Sequence, residues 1–146
     1  FATERSKYLN DLGIPLNTDS TLKGQTVFLA ERCAELMNSN IITDRTIIDV
    51  MAFTMNAKSI GHYDKEIFES YAKEFIREYD YIFYISPYGI PMEDNGVRET
   101  DEHYRDLIDF TITTLIKKYG HMANKIEKIS GSTDERVGQI LKFTNL

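Results

Sequence analysis

The sequence predicts an α/β fold, in which helices cover a sheet of parallel strands on both sides. Short runs at residues 40–43, 81–85 and 125–129 alternate along the chain with longer segments whose apolar residues recur at helical spacing. The first two runs are apolar at successive positions, which indicates strands that are buried on both faces. Because three strands are few for so many helices, a further strand is expected before Phe1.

In the first half of the chain, apolar spacing predicts three helices, and turn residues mark their ends. Gly13 ends the first helix, and Asp19 or Ser20 can cap the second. The third is apolar nearly all round, which indicates that it packs deep against the sheet. A compact β-branched run before it is too short for a helix and favours a buried strand. The helices are predicted at residues 3–12, 20–38 and 46–56, and the strand at residues 40–43.

In the second half, two amphipathic helices each precede a strand. The longer helix keeps one apolar stripe through four turns, and Gly120 ends it. The last strand alternates polar and apolar residues, as the edge strand of a sheet does. Ser132 or Thr133, with Glu135, forms a capping box that opens the final helix. The helices are predicted at residues 65–79, at 99–119 and from about residue 133, and the strands at 81–85 and 125–129.

Composition limits the classes of function. The chain has 146 residues, which suits one domain, and its formal net charge of -6 with scattered Lys and Arg argues against nucleic-acid binding. A nucleotide needs only a few focused cations, so it is not excluded. No run approaches the roughly 18 apolar residues of a membrane span. A single cysteine and the lack of a signal peptide favour a cytoplasmic protein, and the oligomeric state is left open, with a homodimer among the options.

Residues that directly follow the predicted strands are the first candidates for chemistry, because open parallel sheets bind ligands beyond the carboxyl ends of their strands. Asp44 and Arg45 follow the first strand, and Gly131 and Ser132 follow the last. A carboxylate beside a guanidinium can serve phosphoryl transfer, with the acid as metal or base partner and the Arg clamping phosphate. The alternative is structural: Asp44 caps the following helix, and Arg45 forms a surface ion pair.

A polar loop after the second strand leads into a helix that carries further cations. Arg98 and Arg105 could face one anion if the loop folds back towards it. The alternative is a polar connection whose arginines are solvated.

The order and spacing of these segments resemble those of P-loop kinases that act on nucleosides or nucleotides, such as thymidylate-kinase-like and ribosylnicotinamide-kinase-like proteins. Residues 40–46, N-I-I-T-D-R-T, followed by an apolar helix, are similar to the strand and DR motif of that family. Residues 81–87 resemble the next strand, and 94–98, D-N-G-V-R, resemble the lid, which would span about residues 88–105. The resemblance implies a three-layer α/β/α fold with a parallel sheet, in one domain over residues 1–146.

The resemblance also implies roles for individual residues. Asp44 would lie near the phosphoryl acceptor or Mg²⁺, and Arg45 would contact the substrate phosphate. Arg98 and Arg105 would hold the phosphates of ATP, and Arg98 would also be catalytic. Gln25 could bind the edge of an acceptor base, although an exposed helical glutamine without a ligand is the alternative. The remaining implied contacts are Arg5 at the acceptor and Gly131 and Ser132 beside the adenine.

The phosphate-binding motif of the family, G-x-x-x-x-G-K-[ST], does not occur in this sequence. In the family it precedes everything matched here, so the loop and the first strand are expected before Phe1. The implied function of the intact protein is ATP-dependent phosphoryl transfer to a nucleoside, nucleoside monophosphate or similar small acceptor, with Mg²⁺ held by ATP phosphates and Asp44. Two alternatives stay open: a non-catalytic, P-loop-derived module that binds a nucleotide for regulation or interaction, and an α/β interaction domain with coincidental motifs.

Overall fold

The computed structural model describes residues 1, 5–90 and 101–146, which form a mixed fold of helices and a small parallel sheet. The helices are α1 (Ser6–Asp11), α2 (Leu22–Glu35), α3 (Ile47–Met55), α4 (His62–Ala72), α5 (Glu102–Tyr119) and α6 (Thr133–Thr144). The strands are β1 (Tyr81–Ile85) and β2 (Lys125–Ile129), and 3-10 segments lie at Asn17–Asp19, Lys73–Glu78 and Gly120–Met122. The α/β class is therefore confirmed at the level of mixed helix and strand.

The sheet consists of β1 and β2, which pair in parallel with Tyr81 opposite Lys125 and Ile85 opposite Ile129. Helix α5 lies between them in the chain, so the three elements form a β-α-β unit. Both strands and their parallel pairing were predicted correctly. Since parallel strands point the same way, Ile85 and Ile129 bring the two carboxyl ends to one edge of the sheet.

The strand predicted at residues 40–43 is wrong. Asn40 has φ +57°, a left-handed conformation that does not continue an extended strand. Ile42 is 63% exposed, although a buried strand would cover it. In this segment only Thr43 forms an isolated bridge, so the described sheet has two strands.

Two helix boundaries also differ from the prediction. Thr21, and neither Asp19 nor Ser20, caps α2, because its hydroxyl oxygen accepts the Gly24 N–H at 3.0 Å. The helix predicted at residues 65–79 begins earlier, at His62, and its last part tightens into the 3-10 segment Lys73–Glu78.

Helix α3 is the centre of the core. Ile47, Met51 and Ala52 are fully buried, and the main neighbours of α3 are α2, α4 and α5. The predicted deep burial is confirmed, but helices surround α3 where the sequence predicted a sheet.

Helices α4 and α5 are joined by a polar contact. The Glu69 carboxylate accepts hydrogen bonds from Lys118 Nζ at 2.9 Å and Tyr119 Oη at 2.7 Å. The same Oε1 atom accepts both bonds, so this carboxylate ties the C-terminal turn of α5 to α4.

Candidate functional site

A cavity of about 330 Å³ lies beyond the carboxyl ends of β1 and β2. Ile85 and Ile129, the last residues of the two strands, form part of its wall, and Ser86 and Ser130 follow them. The other lining residues are Tyr88, Gly89, Ile90, Gly131 and Arg136. This is the edge of a parallel sheet at which ligands bind in open α/β folds.

The turn from β2 into α6 forms one side of the cavity. Gly131 has φ +100°, a conformation that residues with a side chain rarely adopt. Ser132 caps α6: its hydroxyl oxygen accepts the Glu135 N–H at 3.2 Å, and the Glu135 carboxylate accepts the Ser132 N–H at 2.7 Å. The predicted capping box is therefore confirmed, and Gly131 lines the cavity whereas Ser132 does not.

Two residues of α6 hold this turn, and the sequence analysis missed both. The Gln139 side chain accepts the Ser130 N–H at 3.2 Å and donates to the Ser130 carbonyl at 2.6 Å. Arg136 lines the cavity, and its guanidinium donates to the Ser132 carbonyl at 3.4 Å and to Thr133 Oγ1 at 3.1 Å. The wall of the cavity thus contains the Arg136 cation, and hydrogen bonds with Gln139 hold the backbone of Ser130 at its edge.

Asp44 and Arg45 lie in a tight turn that leads into α3. Arg45 has φ +74°, and a left-handed backbone costs a non-glycine residue roughly 1 to 3 kcal/mol. Local side chains secure the turn: the Thr43 hydroxyl donates to the Arg45 carbonyl at 3.0 Å, and Asp49 accepts the Thr46 N–H at 2.7 Å. The strained residue is thereby held in one conformation.

Two distant side chains also bind this turn. Arg32, on α2, donates from Nη1 to the Asp44 carbonyl at 3.1 Å. The Tyr79 hydroxyl oxygen accepts the N–H of Ile47, the first residue of α3, at 3.1 Å. Backbone groups on both sides of Arg45 are therefore tied to other parts of the fold.

One half of the structural alternative for the Asp44–Arg45 pair, the helix cap by Asp44, is wrong. Thr46 caps α3 in a box with Asp49, so Asp44 is not the cap. Within the described part of the chain, no residue forms an ion pair with Arg45, whose guanidinium lies 5.1 Å from the centre of the Phe53 ring. Asp44 is exposed, and its carboxylate has no hydrogen bond or ion pair to a described residue. Neither side chain is needed to terminate or cap an element.

Two neighbouring residues of α5, Tyr104 and Arg105, make aromatic contacts, one on the side of the turn and one on the side of the cavity. The Arg105 guanidinium lies 5.8 Å from the ring centre of Tyr88, which lines the cavity. Its neighbour Tyr104 contacts Phe53 with ring centres 6.4 Å apart, and Arg45 covers the same Phe53 ring. Arg105 is half-buried, and its buried Nε has no hydrogen-bond partner among the described residues.

The remaining predicted site residues lie elsewhere. Gln25 is only 3% exposed, and its side-chain amide donates to Thr54 Oγ1 at 3.0 Å and to the Val50 carbonyl at 3.4 Å. The alternative of an exposed glutamine is therefore wrong, and the contact of Gln25 with an acceptor base stays a prediction. Arg5 is exposed, 3.7 Å from a Glu31 oxygen. Arg98 lies outside the described residues.

The sequence pattern could have indicated that Arg32 is a buried, functionally relevant residue, but it gave little indication of this for Tyr79. Leu29, Cys33 and Leu36 mark the apolar face of α2, and Arg32 falls on that face by spacing, which is unusual for a charged residue. Tyr79 is the last residue of the apolar stripe in the predicted helix 65–79. The pattern therefore explains the burial of its ring but does not predict the hydrogen bond of its hydroxyl with Ile47.

Ionisable groups near the two regions have shifted pKa values. Burial raises the pKa of the Glu35 carboxyl, and its ion pair with Arg32 at 2.7 Å offsets burial only in part. Burial, followed by a hydrogen bond to Asp109 at 2.6 Å, raises the pKa of Tyr84 in β1 to about 12. Tyr84 is therefore a neutral hydrogen-bond donor at physiological pH.

Within residues 1, 5–90 and 101–146, no three His, Cys, Asp or Glu side chains cluster in a way that could hold a metal ion. In the same residues no helix combines the length and apolar character needed to cross a membrane. Comparison of the chain with protein-family models, with characterised proteins and with solved structures found no match.

Proposed function

We propose that these residues form the base- and acceptor-binding part of an ATP-dependent kinase that phosphorylates a nucleoside, a nucleoside monophosphate or a similarly small acceptor. The observation that carries the proposal is the cavity beyond the carboxyl ends of β1 and β2. Arg105 lies against Tyr88 in its wall, and the preceding residue, Tyr104, contacts the Phe53 ring that Arg45 covers. In this proposal β1 and β2 belong to the parallel sheet of a three-layer α/β/α P-loop fold.

The cavity suits the base and ribose of a nucleotide. Its volume of about 330 Å³ is near the lower end for small-molecule sites. Ile85 and Ile129 offer an apolar surface for a flat ring, and Ser86 and Ser130 offer polar groups at its rim. Arg136 adds a cation that can stack on a base or pair with a phosphate.

Two cations outside the cavity wall, Arg45 at the turn and Arg105 beside Tyr88, suit phosphate groups. Arg45 and Arg105 each lie against an aromatic ring, and within the described ranges neither has a carboxylate partner. A guanidinium without a carboxylate partner can pair with phosphate oxygens in a bidentate geometry. These two side chains would hold the phosphates of the acceptor and of ATP.

Asp44 fits the way in which proteins bind Mg²⁺ together with a nucleotide. Mg²⁺ is usually bound by one or two carboxylates plus substrate phosphates, and Asp44 provides one exposed carboxylate. When bound, Mg²⁺ would neutralise phosphate charge. Because the sequence contains no G-x-x-x-x-G-K-[ST] loop, the transfer step also requires a phosphate loop supplied by residues outside it.

Nuclear magnetic resonance with ¹⁵N-labelled protein tests the binding site. ATP and adenosine are expected to shift the amide signals of Ser86, Ser130 and Gly131, whereas inorganic triphosphate, which lacks a base, should shift them much less. Ser130→Phe fills the rim of the cavity and should abolish the shifts. Ser70→Phe adds the same ring on the exposed side of α4 and is the matched control. Shifts that are absent in the wild type, or that survive Ser130→Phe, would remove the base from this cavity.

An assay of ADP formation tests the activity. The protein expressed from the complete reading frame, supplied with Mg-ATP and a panel of nucleosides and nucleoside monophosphates, is expected to release ADP only with its acceptor present. Binding without ADP release across the panel would favour the non-catalytic nucleotide-binding module. If the protein shows neither nucleotide binding nor ADP release, the remaining alternative is an α/β interaction domain.

A further inference from the structure

Arg32 is buried in a way that a simple ion pair does not require. The residue is 3% exposed, and its Nη2 donates to Glu35 Oε1 at 2.7 Å, a pair that two neighbouring turns of a helix could form in solvent. Burial of a charge is costly unless its hydrogen bonds are made inside the protein. The second hydrogen bond of Arg32, from Nη1 to the Asp44 carbonyl 12 residues along the chain, explains the burial, because it requires the guanidinium to lie inside the protein.

Tyr79 holds the other side of the same turn. The residue is 7% exposed, and its hydroxyl oxygen accepts the N–H of the fully buried Ile47, 32 residues away. Its carbonyl oxygen accepts the Asn124 N–H at 3.3 Å, directly before β2. Tyr79 therefore joins the start of α3 to the sheet whose carboxyl edge carries the cavity.

The local bonds of the turn cannot set its direction relative to the cavity. The hydrogen bonds that the side chains of Thr43, Thr46 and Asp49 make with described residues stay within residues 43–49, so they fix the shape of the turn and move with it. The bonds from Arg32 and Tyr79 are the ones that connect the turn to α2 and to the sheet. Within the described residues they flank the strained Arg45 on both sides.

We propose that Arg32 and Tyr79 are positioning residues, which hold the Asp44–Arg45 turn so that its two side chains reach the phosphoryl acceptor from a fixed place. This inference rests on the proposed kinase function, and it adds two residues to the site that touch neither the acceptor nor ATP. Loss of either bond leaves Asp44 and Arg45 in the chain and removes only their orientation. The reaction should then slow while ATP still binds at the strand ends.

Tyr79→Phe is the decisive variant because it keeps the buried ring and removes the hydroxyl. Tyr119→Phe is the matched control, since Tyr119 is 9% exposed and its hydroxyl also forms a hydrogen bond, to Glu69, away from the turn. Arg32→Lys is the second variant: it keeps the charge, and it remains informative if the larger change Arg32→Met prevents folding.

Amide hydrogen exchange measures the tether without reference to activity. Tyr79→Phe is expected to speed exchange of the Ile47 amide by about tenfold or more relative to amides in the middle of α5, as loss of roughly one hydrogen bond implies. Tyr119→Phe should leave the Ile47 amide as in the wild type. Equal exchange in the two variants would overturn the tether.

Steady-state kinetics of the protein expressed from the complete reading frame measure the positioning. For Tyr79→Phe and Arg32→Lys, kcat is expected to fall by about tenfold or more and the KM for ATP to change much less, because the cavity proposed for the base does not include the turn. If the wild type turns over and both variants have the same kcat as Tyr119→Phe, the positioning role is overturned and the proposed function is not. Absence of turnover in the wild type would instead overturn the proposed function, and with it the role of the tether in catalysis.

Discussion

Replacement of Gly131 by alanine gives a sharp test of the turn that forms one side of the cavity. Gly131 has φ +100°, and a residue with a Cβ in a left-handed backbone conformation loses about 1 to 2 kcal/mol. A Cβ at this position would also overlap the Glu135 carboxylate. The side chain of Glu135 is exposed and can rotate away, but it then leaves its place in the capping box.

The second cost is the lost cap. The Glu135 carboxylate accepts the Ser132 N–H at 2.7 Å, and loss of a capping bond typically costs about 1 kcal/mol. With the backbone cost added, Gly131→Ala is expected to lower the free energy of unfolding by about 2 to 3 kcal/mol.

Urea denaturation followed by circular dichroism measures this loss, and Gly138→Ala supplies the matched control. Gly138 lies inside α6, and a Cβ there would meet no atom within 4 Å. The same added methyl should therefore stabilise the helix by about 0.5 to 1 kcal/mol. Two alanine substitutions seven residues apart are thus expected to act with opposite sign. Equal midpoints for Gly131→Ala and the wild type would refute the conformation assigned to this turn.

Two further substitutions test contacts in the helical core. Gln25→Met keeps the side-chain volume but removes the donor to Thr54, so the free energy of unfolding should fall by about 1 kcal/mol. Lys23→Met, on the exposed side of α2, is the control and should change the free energy of unfolding little. Equal effects of the two substitutions would contradict the buried role of Gln25. Burial alone would raise the pKa of Glu69, but its hydrogen bonds with α5 outweigh burial and lower it. The ionised carboxylate therefore adds stability above its unfolded-state pKa and loses it as pH falls through the lower folded-state value. Glu69→Gln should be less stable than the wild type at neutral pH, with a difference that disappears in acid; a difference that persists in acid would contradict this assignment.

The elements that the sequence predicted well are those whose patterns are local. Residues 81–85 are a continuous apolar run stopped by Pro87, and the structure has a strand with the same bounds. Residues 125–129 alternate as an edge strand does and form one. The stripe that ends at Tyr119 belongs to one long helix. Each of these signals is contained within a single element, so tertiary contacts did not have to be known.

The failures share a physical cause, which is dependence on distant partners. Residues 40–43 have the β-branched composition of a strand, but the left-handed Asn40 and the isolated Thr43 bridge keep them from extending one. Gln25 was interpreted as a base-binding residue or, alternatively, as an exposed one, yet Thr54, 29 residues away, gives its amide a buried acceptor. Hydrogen bonds over such separations have no signature in local spacing.

The same reasoning bears on why an arginine occupies position 45. A turn that only joined α2 to α3 would favour glycine or asparagine at φ +74°, because arginine adds strain there. The Arg45 side chain contacts the Phe53 ring and forms no ion pair with a described residue. The carboxylate of its neighbour Asp44 is exposed to solvent. Arg32 and Tyr79 bind only backbone atoms of the segment, so they would hold the turn equally well with other side chains at both positions. The fold accounts for the position of the turn, and the proposed function would account for its side chains, with Asp44 and Arg45 binding an acceptor phosphate and Mg²⁺.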